Sequence, residues 1–346
     1  MTDVPSLRAA LLDWYDAHAR SLPWRAPPGA EAKTDPYRVW LSEVMLQQTT
    51  VPHATPYFER FTTRWPTVKD LAAVEDAELM AAWAGLGYYA RARNLLACAR
   101  AVAADHGGFF PKTEAELLAL PGVGAYTAAA VAAIAFDRPA NVVDGNVERV
   151  MSRLFAIETP LPAARPELRR LAALFVDDHR PGDWAQALMD LGSGVCRPRT
   201  PLCDRCPLAF GCEALKTGEP ERYPLKTKKA ERPHRRGHAY VLTDDAGRVA
   251  LVRRPEKGLL GGMMGLPTSD WSATPDFTPP AGGDWRGAGS VEHVFTHFSL
   301  TLEVHAAEGE GDFLWTPEDE AAKVLPTVFR KALERALGTL SRRERV

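Results

Sequence analysis

No run of about 18 apolar residues occurs in this 346-residue chain, so no segment reads as a membrane-spanning helix. The nearest candidate, the alanine-rich stretch from Ala125 to Phe136, is too short. The first twenty residues carry acids early and lack an apolar core, which excludes a secretory signal and points to a cytoplasmic protein. An excess of positive charge is also missing: 42 Lys and Arg stand against 44 Asp and Glu, a formal net charge of −2. Any binding of nucleic acid must therefore rest on local basic patches. Cysteine is scarce, five in all, and four of them fall between positions 196 and 212. Such clustering argues against disulfides and for a metal. No repeat of solenoid period is present.

The length calls for two or three compact units. At 46% hydrophobic and 25% charged residues, the core is ample. Residues 1 to about 215 read as helical. Asp35-Pro36 is an N-cap with proline at the first helical position, opening a helix through about Thr49. Thr113 to Glu116 is a capping box opening a helix that ends by Pro121, and a nearly all-apolar helix follows over 125–136. Further helices are predicted near 6–18, 70–82, 90–105, 145–155, 166–179 and 183–194. Residues 221–237 hold seven Lys or Arg against two Glu and read as a basic linker, a solvated tether or a phosphate-attracting segment. After Gly237 the pattern turns to strands. Asp244-Asp245-Ala246-Gly247 separates two of them as a hairpin, and Val294, Phe298, Leu300, Leu302 and Val304 alternate along one strand face. A helix from Pro326 to Leu340 closes this α/β domain.

Cys196, Cys203, Cys206 and Cys212 have the spacing C-x6-C-x2-C-x5-C. Four thiolates so close in sequence converge on one soft metal centre at little cost in loop entropy. A single close pair among them favours an iron–sulfur cluster over zinc, which more often takes two such pairs. Arg197, Arg199 and Arg205 lie in the same stretch, either as phosphate contacts or as incidental charge. Cys98, among alanines and leucines, reads as an inert core thiol.

Leu120-Pro121-Gly122-Val123-Gly124 lies between two helices. Gly122 and Gly124 allow a tight turn and close approach of a phosphate to a helix start, although alone the segment is only a turn. Asp144 precedes Gly145, which by itself suits an N-cap or an ordinary turn. Glu43 lies on the 36–49 helix away from its polar flank, marked by Arg38 and Ser42. A carboxyl there is either paired with an arginine or raised in pKa and fit for general-acid work.

Together these segments resemble the helix-hairpin-helix glycosylase superfamily, and within it the MutY-type adenine DNA glycosylases. The resemblance rests on Leu22-Pro23-Trp24-Arg25, Leu41 to Thr49, Gly85 to Arg93, the hairpin at 120–124, Asp144 to Val147, the four cysteines, and Phe295 to Phe298. It implies an all-α catalytic region over 1–220, with a six-helix lobe at about 31–136, an iron–sulfur lobe from 1–30 and 137–215, and the active site between them. It also implies a 4Fe–4S cluster on the four cysteines, the linker at 221–237, and an α/β Nudix-like domain over 238–346. No Nudix hydrolase signature follows Gly237, so that domain should recognise a base rather than hydrolyse a nucleotide.

By the same resemblance Glu43 is the general acid, Asp144 stabilises the cationic sugar, Tyr126 assists both, and Asn146 lies near Asp144. Gln48 and Tyr88 enter the duplex, Gly122, Gly124, Arg25 and Arg91 contact DNA, and Phe295, Thr296 and His297 sense 8-oxoguanine. Thr296 stands where the family usually has Ser. Tyr126 replaces the Schiff-base lysine of bifunctional relatives, which implies a monofunctional glycosylase. The expected partner is duplex DNA with adenine opposite 8-oxoguanine or guanine, bound by a monomer associated with the nucleoid. The rivals are removal of thymine opposite guanine and a catalytically inactive DNA-binding or redox-sensing protein.

Overall fold

The computed structural model describes residues 3–227, 232–255, 258–295 and 297–340. The chain forms two compact units, Met1–Lys228 and Lys229–Val346. The first is helical: α1 (Val4–His18), α2 (Pro36–Leu46), α3 (Val51–Arg64), α4 (Val68–Ala72), α5 (Asp76–Trp83), α6 (Tyr89–Asp105), α7 (Glu114–Leu118), α8 (Ala125–Phe136), α9 (Gly145–Leu154), α10 (Arg165–Ala173), α11 (Pro181–Asp190) and α12 (Glu213–Lys216). Among the described residues no helix is long and apolar enough to cross a membrane.

Two apolar cores hold this unit. One gathers α2 to α8 around Trp40, Phe58, Trp83 and the alanines of α8. The other packs Leu7, Leu11 and Tyr15 of α1 against Val147, Met151, Phe175 and Leu188. Helix α8 is buried from Thr127 to Ala135. Its small side chains let α2, α7 and α11 pack directly against it. That central helix sets where its neighbours present their polar residues.

Local chemistry explains both the expected elements and the departures. Asp35 accepts from the Tyr37 amide at 2.8 Å with Pro36 behind it, as the sequence predicts for the start of α2. That helix stops at Leu46 rather than Thr49, because Gln48 turns into the left-handed region at φ +57°. The span predicted at 70–82 is broken in two around Ala73–Glu75. The span at 166–179 ends at Ala173, and the one at 183–194 gives way after Asp190 to a π-turn over Leu191–Val195. Helix α3 forms although Pro52 and Pro56, which break a helical pattern in the sequence, lie inside it. Pro52 occupies the first turn, where a missing N–H costs nothing, and Ala54, Phe58 and Phe61 still form a buried stripe.

The basic segment is not a free tether along its whole length. Tyr223 is buried, the Leu161 amide donates to the Leu225 carbonyl at 2.8 Å, and the Thr227 amide donates to the Leu161 carbonyl at 3.2 Å. These contacts dock residues up to 227 on the helical unit, and strand structure begins at His234.

The second unit contains β1 (His234–Thr243), β2 (Val249–Arg253), β3 (Met264–Gly265), β4 (Arg286–Val294), β5 (Ser299–Glu308), β6 (Leu314–Thr316), α13 (Glu318–Val324) and α14 (Thr327–Leu340). The sheet order is β3-β2-β1-β5-β4, with β6 also paired to β2. Strands β1 and β5 run parallel, while β1–β2 and β4–β5 are antiparallel. Ala239, Val241, Leu300, Leu302 and Val304 pack with Phe329 and Leu333 of α14 in one core. Val294 does not share the face assigned to it. It is the last residue of β4 and is 60% exposed, and β5 starts only at Ser299.

Candidate active site

Helix α2 places Glu43 against the start of α8, where Tyr126 is the second residue. Glu43 is 7% exposed, and the Tyr126 hydroxyl donates to its Oε2 at 2.7 Å. Burial pushes the Glu43 carboxyl up, and the negative charge of Asp144 adds to that rise. The tyrosine hydrogen bond and the Arg25 charge oppose it without reversing it. Burial, together with both carboxylates, holds the Tyr126 phenol well above its ordinary range, so it remains a donor.

Asp144 caps α9. Its Oδ1 accepts from the amides of Asn146 and Val147 at 2.9 and 2.7 Å, and its Oδ2 accepts from Asn146 Nδ2 at 2.8 Å. Three donors and the positive end of a helix give this carboxylate an acceptor's surroundings. Glu43 and Asp144 therefore occupy opposite environments. Both line one cavity of about 990 Å³, with Tyr126 and Asn146.

Behind Asn146 a chain of polar contacts leads to the cysteine loop. Arg149 Nη2 donates to Asn146 Oδ1 at 2.8 Å and to the Gly192 carbonyl at 2.7 Å, while its Nε donates to the Cys196 carbonyl at 2.8 Å. Gly192 lies so close that an added Cβ would fall 2.6 Å from Asn146 Cβ. Gly192→Ala is therefore expected to displace Asn146 and slow turnover about tenfold or more, with the thermal midpoint as control. An unchanged turnover rate would mean that Asn146 is not held by this contact.

The hairpin at 120–124 uses its two glycines differently. Gly122 sits at φ +70°, and a Cβ there would meet Asn94 Cβ at 2.5 Å, so the turn itself requires glycine. Gly124 has an ordinary φ and open space beside it, at the uncapped start of α8. Both line the cavity, as does exposed Gln48. Tyr88 is 56% exposed at φ +50°, just ahead of α6.

The two arginines expected to contact DNA both have partners within the protein. The Arg25 side chain is 7% exposed and its Nη1 donates to both oxygens of Asp190, at 2.9 and 2.8 Å, so the guanidinium lies in the cavity wall as part of an ion pair. Arg91 donates to the carbonyls of Gln47, Val44 and Leu86. A helix end leaves carbonyls without partners, and Arg91 satisfies those at the end of α2. Arg20 and exposed Arg169, which the sequence did not single out, line the cavity. Nothing in their local sequence separates them from other surface arginines.

Cys196, Cys203, Cys206 and Cys212 are free thiols around one small space walled by Val195, Leu202 and Leu215. Arg153 Nη1 donates to Cys196 Sγ at 3.3 Å, and the Cys212 thiol approaches the Arg153 carbonyl at 3.5 Å. Arg153 also donates to the carbonyls of Arg197, Pro198 and Tyr223, tying this loop to α9. Among the described residues, no three of the four sulfurs lie mutually within 4.8 Å. Cys98 is buried alone in the first core.

In the second unit Phe295 is half-buried, stacked on Trp271 at 5.9 Å and packed on Phe298 at 4.9 Å, and its amide donates to the Phe298 carbonyl. His297 is exposed, and Thr296 lies outside the described residues.

Residues 41–173 match the model of the HhH-GPD superfamily base excision DNA repair proteins, and residues 238–335 match that of the NUDIX domain. The chain is similar to the adenine DNA glycosylase of Rattus norvegicus, 36% identical over 90% of this chain and 72% of that one. It is also similar to the adenine DNA glycosylase of Mycolicibacterium smegmatis, 41% identical over 61% of this chain and 70% of the relative. Among solved structures, a thermostable thymine-DNA glycosylase superposes with a TM-score of 0.56 at 30% identity, covering 62% of this chain and 97% of its own. With relatives matched through both units, the chain belongs to the adenine DNA glycosylase family, enzymes that hydrolyse N-glycosyl bonds.

Proposed function

We propose that the protein excises adenine opposite 8-oxoguanine, or opposite guanine, from duplex DNA and leaves an abasic site. The observation that carries this reading is the shared cavity: a buried, pKa-raised carboxyl and a carboxylate held by three donors line the same space. Adenine is a poor leaving group, and the sugar becomes cationic as the N-glycosidic bond breaks. Glu43 delivers a proton to N7 of the base, while Asp144 stabilises the oxocarbenium-like sugar. This is the division of labour of paired carboxyls in glycoside hydrolysis. The Tyr126 hydroxyl occupies Glu43 Oε2 and leaves Oε1 to carry the proton.

Adenine must leave the base stack, at a cost of about a few kcal/mol that a mispair reduces. Exposed Gln48 and Tyr88 are suited to fill the vacated space and stack there. The open backbone at Gly124 suits a phosphate at the start of α8. In the second unit Phe295, Thr296 and His297 are the proposed readers of 8-oxoguanine.

The four cysteines fit a polynuclear cluster. One tetrahedral zinc with Zn–S near 2.3 Å needs sulfurs about 3.8 Å apart, closer than these sulfurs stand as a set. Cys196, Cys203, Cys206 and Cys212 would hold a 4Fe–4S cluster, which would fasten their loop and, through Arg153 and Arg149, the frame of α9.

The cavity lining includes no lysine among the described residues, which supports monofunctional hydrolysis over a Schiff base. Single-turnover excision from duplexes carrying A opposite 8-oxoguanine, A opposite G, and T opposite G tests the whole reading. Cleavage of adenine without thymine is expected, fastest opposite 8-oxoguanine, with no adduct trapped by borohydride. Thymine release would favour the activity named for the structural relative, and a trapped lysine adduct would refute monofunctionality.

A further inference from the structure

The parallel register of β1 and β5 sets His238 beside Glu303 and Tyr240 beside His305, so His238, Glu303 and His305 share the sheet face opposite α14. His238 Nδ1 lies 3.0 Å from His305 Nε2 and 3.7 Å from Glu303 Oε2. All three donor atoms fall within 4.8 Å of one another, the only such group of His, Cys, Asp or Glu among the described residues. We propose that these three side chains bind a divalent cation of the zinc type, independent of the cysteine loop and of the glycosylase cavity.

The chemistry of the donors selects the ion. Two imidazole nitrogens and one carboxylate suit zinc, whereas magnesium and calcium take oxygen donors. A tetrahedral zinc with bonds near 2.0–2.1 Å separates its ligand atoms by about 3.3–3.4 Å, between the two distances seen here. The surroundings are half closed: His238 is buried, and Phe277 stands edge-on to the rings of His238 and His305 at 5.4 and 4.8 Å. Glu303 keeps 55% of its side chain exposed, so the group has a route to solvent for entry and for a water as fourth ligand. Without a cation these two ring nitrogens form one hydrogen bond with each other, one donating and one accepting. Glu303 then stands beyond hydrogen-bond reach of His238.

Zinc binding to the tag-free, cluster-loaded full chain, read by equilibrium dialysis with metal analysis, tests this. The wild type is expected to hold one more zinc per chain than His305→Gln. Glu303→Gln is expected to weaken that site at least about tenfold, the scale already lost with outer-shell partners. Equal stoichiometry and affinity in wild type and both variants would overturn the proposal and leave a hydrogen-bonded histidine pair. So would magnesium binding with the same dependence on His305. Glu303 is exposed, so its variant keeps the test valid if His305→Gln does not fold.

Discussion

Glu43→Gln is expected to lower the single-turnover excision rate about 10³-fold or more while leaving duplex binding within about twofold, the upper scale for losing a general acid. Glutamine keeps the shape and accepts the Tyr126 hydroxyl through its amide oxygen, but it has no acidic proton to give. A loss shared equally between binding and rate would instead mean a positioning role. The wild-type pH profile follows from the raised Glu43 pKa. The protonated acid is the working form, so excision is retained below the folded-state pKa and declines as pH rises through it.

The same shift has a sign for stability. An ordinary carboxyl titrates near 4.5 and Glu43 titrates above that when folded. Between the two values the native state binds more protons than the unfolded chain, so this residue's contribution falls as pH rises across that window. Glu43→Gln should remove that decline, giving a variant more stable than wild type above the window and inactive throughout. Thermal midpoints across the pH range check it. A variant less stable than wild type at neutral pH would mean that Glu43 is stabilised by pairing, not penalised by burial.

Much of this site is legible in sequence because its signals are local. Glu43 stands out as a carboxyl on an apolar helix, Asp144 as an acid before Gly145, and the cysteines by spacing alone. The signals that sequence does not carry are long-range. Asp190 and the carbonyls at the end of α2, which hold Arg25 and Arg91, are remote from them in the sequence. Gly192 is one glycine among 26 until the fold brings it against Asn146. Helix α3 was hidden because Pro52 and Pro56 outweigh its apolar stripe in a local reading, whereas burial of Phe58 and Phe61 outweighs the prolines in the fold. The docking of Tyr223 was hidden in the same way, inside a segment whose composition reads as linker.

Asp144→Asn separates the second carboxyl's charge from its structural duty. Asp and Asn are equivalent as helix N-caps, so the amide oxygen still accepts from Asn146 and Val147 and α9 keeps its start. The new amide then faces Asn146 Nδ2, donor against donor. Turning over the Asn146 amide would relieve this but break its bond with Arg149, so a stability cost of about 1 kcal/mol is expected. Excision should fall much further, about 10²–10³-fold, the scale for losing one preorganised electrostatic stabiliser of a transition-state charge. Raising the pH should not rescue it, because no ionisable group remains at that position, and substrate binding should be retained. Glu43 also reports on the change: with the Asp144 charge gone, one cause of its raised pKa is removed, so the surviving pH profile should shift to lower pH. If Asp144→Asn cleaved at the wild-type rate with an unshifted profile, the carboxylate would be an N-cap and nothing more, and the two-carboxyl mechanism would fail.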